Sequence, residues 1–156
     1  MATSQQRTGD EQFVVFRLAN EHYGLPIRSV REIIVLREVT RMPETASYVE
    51  GIVDLRGRIV PVINLRTKLG LPPGGGERGG RTVVTEFGDA EAGLVVDEVV
   101  GVMRVDASSI EAPPQMTDVD RRAVSAIARV QNRLVILLDL GAILEPSPEG
   151  LPMHHA

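Results

Sequence analysis

Apolar positions along this chain come in short clusters rich in Val, Ile and Leu, broken by turn residues at close intervals. That pattern predicts many strands and few helices. Phe13-Val-Val-Phe-Arg-Leu18 predicts a strand, and Asn20-Glu21 a turn into His22-Tyr-Gly-Leu-Pro26. From Ile27 to Ile34 the apolar residues at 27, 30, 33 and 34 have helical spacing, which predicts a short amphipathic helix. Val39 to Met42 predicts a short strand. Pro43 and Gly51 then bracket residues 44–50 as a one- or two-turn helix, with proline in its first turn and glycine just past its end. Ile52 to Leu55 and Arg58 to Ile63 predict a hairpin around Arg56-Gly57, where glycine supplies a positive φ. Pro61 cannot donate to a ladder, which predicts an edge strand or an amide turned outward. Further strands are predicted over Arg81 to Phe87, Leu94 to Val96, Val99 to Val105, Ser125 to Val130 and Arg133 to Leu138.

The clusters repeat. Ile52 to Leu65 lines up with Ile127 to Leu140, and Gly24 to Ile33 with Gly93 to Val102. Identities are few, but the matches fall at turns, caps and apolar positions, where physical constraints select residue type. The hairpin tip Arg56-Gly57 becomes Gln131-Asn132, and asparagine is the next most tolerant residue in a left-handed conformation. Asn64 and Asp139 follow the two hairpins as helix N-caps, predicting short helices from Leu65 to Leu69 and from Leu140 to Leu144. Pro72 to Gly80 reads as a linker between the copies. The expected organisation is a leader over 1–10, one domain over 11–145 and a tail over 146–156. Within the domain, the expected subdomains are 11–73 and 80–145, joined through 72–80, with exchange of strands between them left open. Short strands with regular turn signals predict a mainly β chain of compact barrels.

Composition narrows what such a chain can do. Of 156 residues, 3% are aromatic, so the core rests on aliphatic side chains. There is no cysteine, which removes disulfides, thiolate metal sites and cysteine nucleophiles. A net charge of −4 gives nucleic-acid binding no electrostatic support. No apolar run approaches the ~20 residues of a membrane span, and the polar N-terminus has no secretion-signal core. The expectation is a cytoplasmic protein without membrane insertion.

Reactive constellations are absent from the pattern. Gly74 to Gly80 lacks the lysine-serine/threonine signature of a phosphate cradle and precedes a strand rather than a helix. His154 and His155 lie in the tail, and His22 stands alone. Asp97 and Glu98 would point to opposite faces of a strand, and Asp118 and Asp120 read as a solvated charge cluster beside Arg121-Arg122. No catalytic residue, cofactor or metal is predicted; a hydrolase using Asp118 and Asp120 is the remaining enzyme reading. Two charged residues stand out. Glu32 lies on the polar side of the predicted helix, where an Arg28–Glu32 pair would explain it, and Arg56 sits on a hairpin tip. The functional reading makes both polar contacts of an interaction surface.

These segments resemble a known family. Phe13-Val-Val-Phe16, His22-Tyr-Gly-Leu-Pro-Ile27, Val30-Arg-Glu-Ile33, Gly51-Ile-Val-Asp-Leu-Arg-Gly57, Ile59-Val-Pro-Val-Ile-Asn-Leu-Arg66, Gly93-Leu-Val-Val-Asp97 and Leu134-Val-Ile-Leu-Leu-Asp-Leu140 are together similar to CheW-like bacterial chemotaxis coupling proteins. The resemblance implies two small five-stranded SH3-like β-barrels packed on a shared hydrophobic core, and no enzymatic activity. It implies an adaptor recruited to membrane-associated receptor arrays. Its partners would be the CheW-like regulatory domain of the histidine kinase CheA and the cytoplasmic tip of methyl-accepting chemoreceptors. A CheW-type adaptor serving twitching motility or second-messenger control is the alternative. The family's binding surfaces fall on Val30, Glu32, Ile33, Gly51, Arg56 and Gly57, with Thr82 and Val84 as weaker candidates. Asp54 departs from the family's usual asparagine, and its extra charge is expected to bear on partner preference.

Overall fold

The computed structural model describes residues 10–36, 38–43, 45–72, 80–114 and 121–145. Residues 1–9 of the leader, the tail, most of the 72–80 linker and the Asp118/Asp120 cluster lie outside the described residues. Among the described residues eleven strands follow in chain order: β1 Asp10–Leu18, β2 Glu21–Pro26, β3 Val30–Ile34, β4 Val49–Leu55, β5 Arg58–Asn64, β6 Arg81–Phe87, β7 Ala90–Val96, β8 Glu98–Asp106, β9 Ile110–Glu111, β10 Val124–Val130 and β11 Arg133–Leu138. Two short helices, α1 (Leu65–Lys68) and α2 (Leu140–Leu144), close the two copies. The Asn64 side chain accepts from the Thr67 amide and Asp139 from the Ala142 amide, as the cap residues predict.

The strands form a six-stranded sheet, β8-β1-β2-β11-β10-β9, and a five-stranded sheet, β3-β6-β7-β5-β4. The mainly β architecture predicted from the pattern is therefore present. The sheets do not coincide with the chain halves 11–73 and 80–145. Each sheet takes the leading hairpin of one copy and the later strands of the other, four (β8–β11) in the six-stranded sheet and three (β3–β5) in the five-stranded one. The seams are parallel ladders, in which Leu137 pairs with Gly24 and Val62 with Gly93. Gly24 and Gly93 align with each other in the sequence repeat, and so do Leu137 and Val62. The repeat is thus preserved in the register of the two sheets. Glycine at both seams keeps neighbouring strands close: a Cβ on Gly93 would lie 2.8 Å from Thr82 Cγ2, and one on Gly24 3.2 Å from Leu137 Cδ2.

The largest apolar cluster is shared. Phe16, Leu18, Tyr23, Leu25 and Leu138 of one sheet pack with Ile63, Val83, Leu94 and Val96 of the other, and with Leu65, Leu69, Leu140 and Ile143 from the helical ends. Two smaller clusters lie on the other faces, one around Phe13, Val15, Val135 and Leu137, the other around Val53, Val60 and Val62. The low aromatic content is offset by tight aliphatic packing and one stacked pair, Phe16 on Tyr23.

Both hairpin tips have positive φ at both residues, 53° and 89° at Arg56-Gly57 and 53° and 64° at Gln131-Asn132. These are the mirror-type turns that match strand twist. Pro61 lies in the half of β5 paired with β4 alone; pairing with β7 starts at Val62.

Three expectations are corrected. Residues 27–34 are not an amphipathic helix: Ile27–Ser29 form a single 3-10 turn, and Val30–Ile34 are β3. An extra residue in β3 breaks its alternation, and a broken period of two imitates helical spacing. Val30, Ile33 and Ile34 are β-branched, which favours the strand once β6 is there to pair with it. The aligned segment from Val99 reads as a strand, and that was the available signal. Among the described residues of 44–50 there is no helix; Ser47-Tyr48 turn into β4. The strand predicted at 39–42 is a single bridge, Thr40 to Ile52.

Candidate functional site

The five-stranded sheet curls until residues from its opposite margins meet. β3 is one edge, and the β4–β5 turn stands at the other side. Across that gap Arg56 Nη2 donates to both Glu32 carboxylate oxygens at 2.6 Å. The two charged residues that stood out in the sequence are therefore each other's partners, and Arg28 is not the partner of Glu32. The Arg56 side chain is 64% exposed and that of Glu32 25%. An exposed pair of this kind contributes about 0–1 kcal/mol to stability. Glu32 engages only Nη2, so Nε and Nη1 of Arg56 remain to donate elsewhere.

The turn that carries Arg56 is fixed locally. Asp54 Oδ1 accepts from the Gly57 amide at 2.8 Å, a bond an asparagine side-chain oxygen would make equally. Gly57 has open space around its missing Cβ, so its requirement is the positive φ alone.

Other predicted site residues fall in three groups. Ile33, 40% exposed, stands beside Glu32, and Val35 just beyond it is also exposed. Val30 is half-buried against the shared core. Gly51, Thr82 and Val84 are interior. Thr82 and Val84 are 4% and 0% exposed, so neither offers its side chain to a partner. Gly51 has φ 150°, and a Cβ there would collide with the Thr40 carbonyl. Its role is to let the 39–43 segment lie against β4.

Sequence reasoning missed a second layer of charge next to the clamp. Arg58 donates to Glu91 through Nε at 3.1 Å and Nη2 at 2.8 Å. Arg31 reaches Glu86 at 3.2 Å and Glu91 at 3.5 Å. The hydrogen bond from Arg58, with the arginine charges, outweighs desolvation and holds the Glu91 carboxyl below its ordinary value. Acids and arginines that fall at the same level of neighbouring strands were the signal, but it needs the strand order to be legible.

Asp97 and Glu98 diverge, as expected of neighbours at a strand end. Glu98 pairs with Arg17 at the surface. Asp97 is buried with Arg66, 2.6 Å apart, and also accepts from the Ala19 amide at 2.8 Å. Burial alone would raise the Asp97 carboxyl. The bonds from Arg66 and Ala19 overcome that and hold it below the usual carboxylate value. Asp97 thus ties the β7–β8 junction to α1 and to the β1–β2 turn. In the six-stranded sheet, on the face of Val135, burial and the Arg133 charge lower the His22 pKa, and Arg133 Nη1 lies 2.9 Å from its Nε2.

Among the described residues no group of three or more His, Asp or Glu could hold a metal ion. No helix of the described residues is long and apolar enough to cross a membrane.

A family model described as the CheW-like domain matches residues 12–147. The chemotaxis protein CheW of Bacillus subtilis is 32% identical over 153 residues, covering 96% of this chain and 97% of that protein. The corresponding protein of Helicobacter pylori is 32% identical over 92% of this chain and 88% of its own length. The crystal structure of the scaffolding protein TtCheW from Thermoanaerobacter tengcongensis superposes with a TM-score of 0.82, at 38% identity, over 86% of this chain and 92% of that one.

Proposed function

The chain belongs to the CheW-like family, and on that premise we propose that it is a non-enzymatic adaptor coupling chemoreceptors to a histidine kinase in bacterial chemotaxis. The observation that carries the site assignment is the Glu32–Arg56 clamp, set beside exposed Ile33 and Val35 on one rim of the five-stranded sheet. A charged pair with unused donors next to uncovered aliphatic side chains is suited to docking. The apolar residues supply most of the affinity, and the charges supply register and partner choice.

In this reading the rim receives the helical tip of a receptor, and another face of the molecule docks the CheW-like regulatory domain of the kinase. Held together, the two partners acquire a defined relation. A receptor change then biases the kinase by making its contacts with one kinase state better than with the other. The adaptor reaches the membrane through the receptors it binds.

Co-sedimentation of the full chain with a kinase and a receptor fragment tests this. Arg56→Glu places two acids face to face and should reduce capture of the receptor or the kinase at least about tenfold, with circular dichroism and melting little changed because the pair is exposed. Normal capture of both partners by that variant would overturn the site assignment.

A further inference from the structure

β3 contains a bulge. Val30 pairs with Thr85 and Glu32 with Val84, so Arg31 is the extra residue. Neighbouring residues of β6 face opposite sides of the sheet. The insertion therefore places Glu32 on the face of Val84. In an unbroken register Glu32 would pair with Val83 and lie on the face that Val83 and Val30 turn to the shared core. The bulge is what sends this carboxylate away from the shared core and toward Arg56.

The bulged Arg31 is held by ion pairs, Nη1 to Glu86 at 3.2 Å and Nε to Glu91 at 3.5 Å. Glu86 and Glu91 sit directly opposite each other on β6 and β7. Like charges so placed repel unless a cation is shared between them, and Arg31 is that cation. Arg58 binds both oxygens of Glu91 and shares Oε2 with Arg31. Arg31, Glu86, Glu91 and Arg58 make one row across β3, β6, β7 and β5, four neighbouring strands. The ends of the row are attached to the clamp: Glu32 follows Arg31 in the chain, and Arg56 lies just across the turn from Arg58. Glu91 joins both ends and is the least exposed member, at 20%.

We infer that Arg31 and Glu91 are positioning residues for the docking clamp: the fold sets the bulge that turns Glu32 toward Arg56, and the row through Arg31 and Glu91 braces the two ends that carry the pair, presetting the direction and spacing of the charges offered to a partner. The consequence for binding rests on the docking reading above. The bracing itself is a property of the free chain and is measurable without a partner.

The experiment uses the full chain with Glu91→Gln, Arg31→Ala and the charge-keeping Glu91→Asp, and Glu98→Gln as a control in the other sheet. NMR of the Arg56 guanidinium reports its rotation about Nε–Cζ, which is slow when both partners are held and fast when the pair is loose. Glu91→Gln and Arg31→Ala should speed that rotation at least about threefold, the scale expected when a coupled charge pair loses part of its restraint. Glu91→Asp should recover part of the restraint, and Glu98→Gln should leave it unchanged. Receptor-fragment capture should weaken in step with the loosening. An Arg56 group as restrained in Glu91→Gln and Arg31→Ala as in the parent overturns the inference. Loosening without any loss of capture supports the positioning role and overturns the docking reading instead. Should Glu91→Gln fail to fold, Glu91→Asp and Arg31→Ala carry the same comparison.

Discussion

β3 and β8 hold equivalent places, each at the edge of a sheet beside the leading hairpin of the other copy. Each carries a bulge at the aligned position, with Arg31 as the extra residue in β3 and Val100 in β8. After the bulge comes Glu32 in one and Gly101 in the other. The hairpin tip facing them is Arg56-Gly57 in one and Gln131-Asn132 in the other. Beneath the clamp, Glu86, Glu91 and Arg58 have Arg17, His22 and Arg133 as their counterparts, and Arg58–Glu91 is matched in place by Arg133–His22. The bulge, the mirror turn and the parallel seam occur twice, so they belong to the fold. The alternating charges occur once. A fold that builds the same corner without them does not need them for folding, which is the physical ground for assigning them to recognition.

That comparison can be tested from its strongest consequence downward. The two sheets should stand or fall together, because Asp97 bonds at once to α1 and to the β1–β2 turn. Asp97→Ala removes the two bonds Arg66 donates to it and the one it accepts from the Ala19 amide, while Arg66 keeps its bond to the Pro72 carbonyl. The expected loss is about 1.5–3 kcal/mol in urea unfolding, in one transition followed alike by probes in both sheets. Two separate transitions would mean the barrels are independent. The same residue makes the frame acid-sensitive. Its folded pKa lies below the ordinary 3.8, so its contribution is whole above the unfolded carboxylate value and disappears as pH falls through the folded one. An acid titration of Asp97→Asn should be flatter over that window than the parent's.

Next in size is the functional asymmetry. Arg56→Glu should reduce partner capture at least about tenfold, or ~1.4 kcal/mol, while Gln131→Glu at the matching tip should change capture by less than about twofold, as for surface positions outside a binding hot spot. Equal losses at both tips would erase the distinction between the corners. The smallest effect tests the row beneath. His22→Glu copies Glu91 into the six-stranded sheet between Arg17 and Arg133, and should raise stability by about 0.2–1 kcal/mol at low salt, fading as salt is added. A destabilised variant would show that the two rows are not equivalent.

Much of the architecture was legible in the sequence, for reasons that can be named. The hairpin tips were readable because positive φ selects glycine and asparagine. The short helices were readable because a capping side chain must precede them. β3 was misread because a bulge shifts the phase of a strand, and the shifted pattern matches a helix over so few residues. Glu32 and Arg56 were singled out one by one, but their pairing was not predicted, since they are joined by curvature of the sheet rather than by local spacing. Thr82 and Val84 proved interior because both faces of β6 are covered, from Thr82 to Thr85, which the sequence of one strand does not reveal.

The order of residues by itself determined the strand-rich composition, the turns, the caps and the doubling of the chain, all of which depend on neighbours a few positions apart. Only the tertiary structure decided which copy's hairpin completes which sheet, on which face Glu32 emerges, and that Arg31, Glu86, Glu91 and Arg58 form one row. Those outcomes depend on long-range pairing and on the shift of one residue in register. A single-residue shift reverses every side chain beyond it, and no local pattern records where the partner strand will impose it.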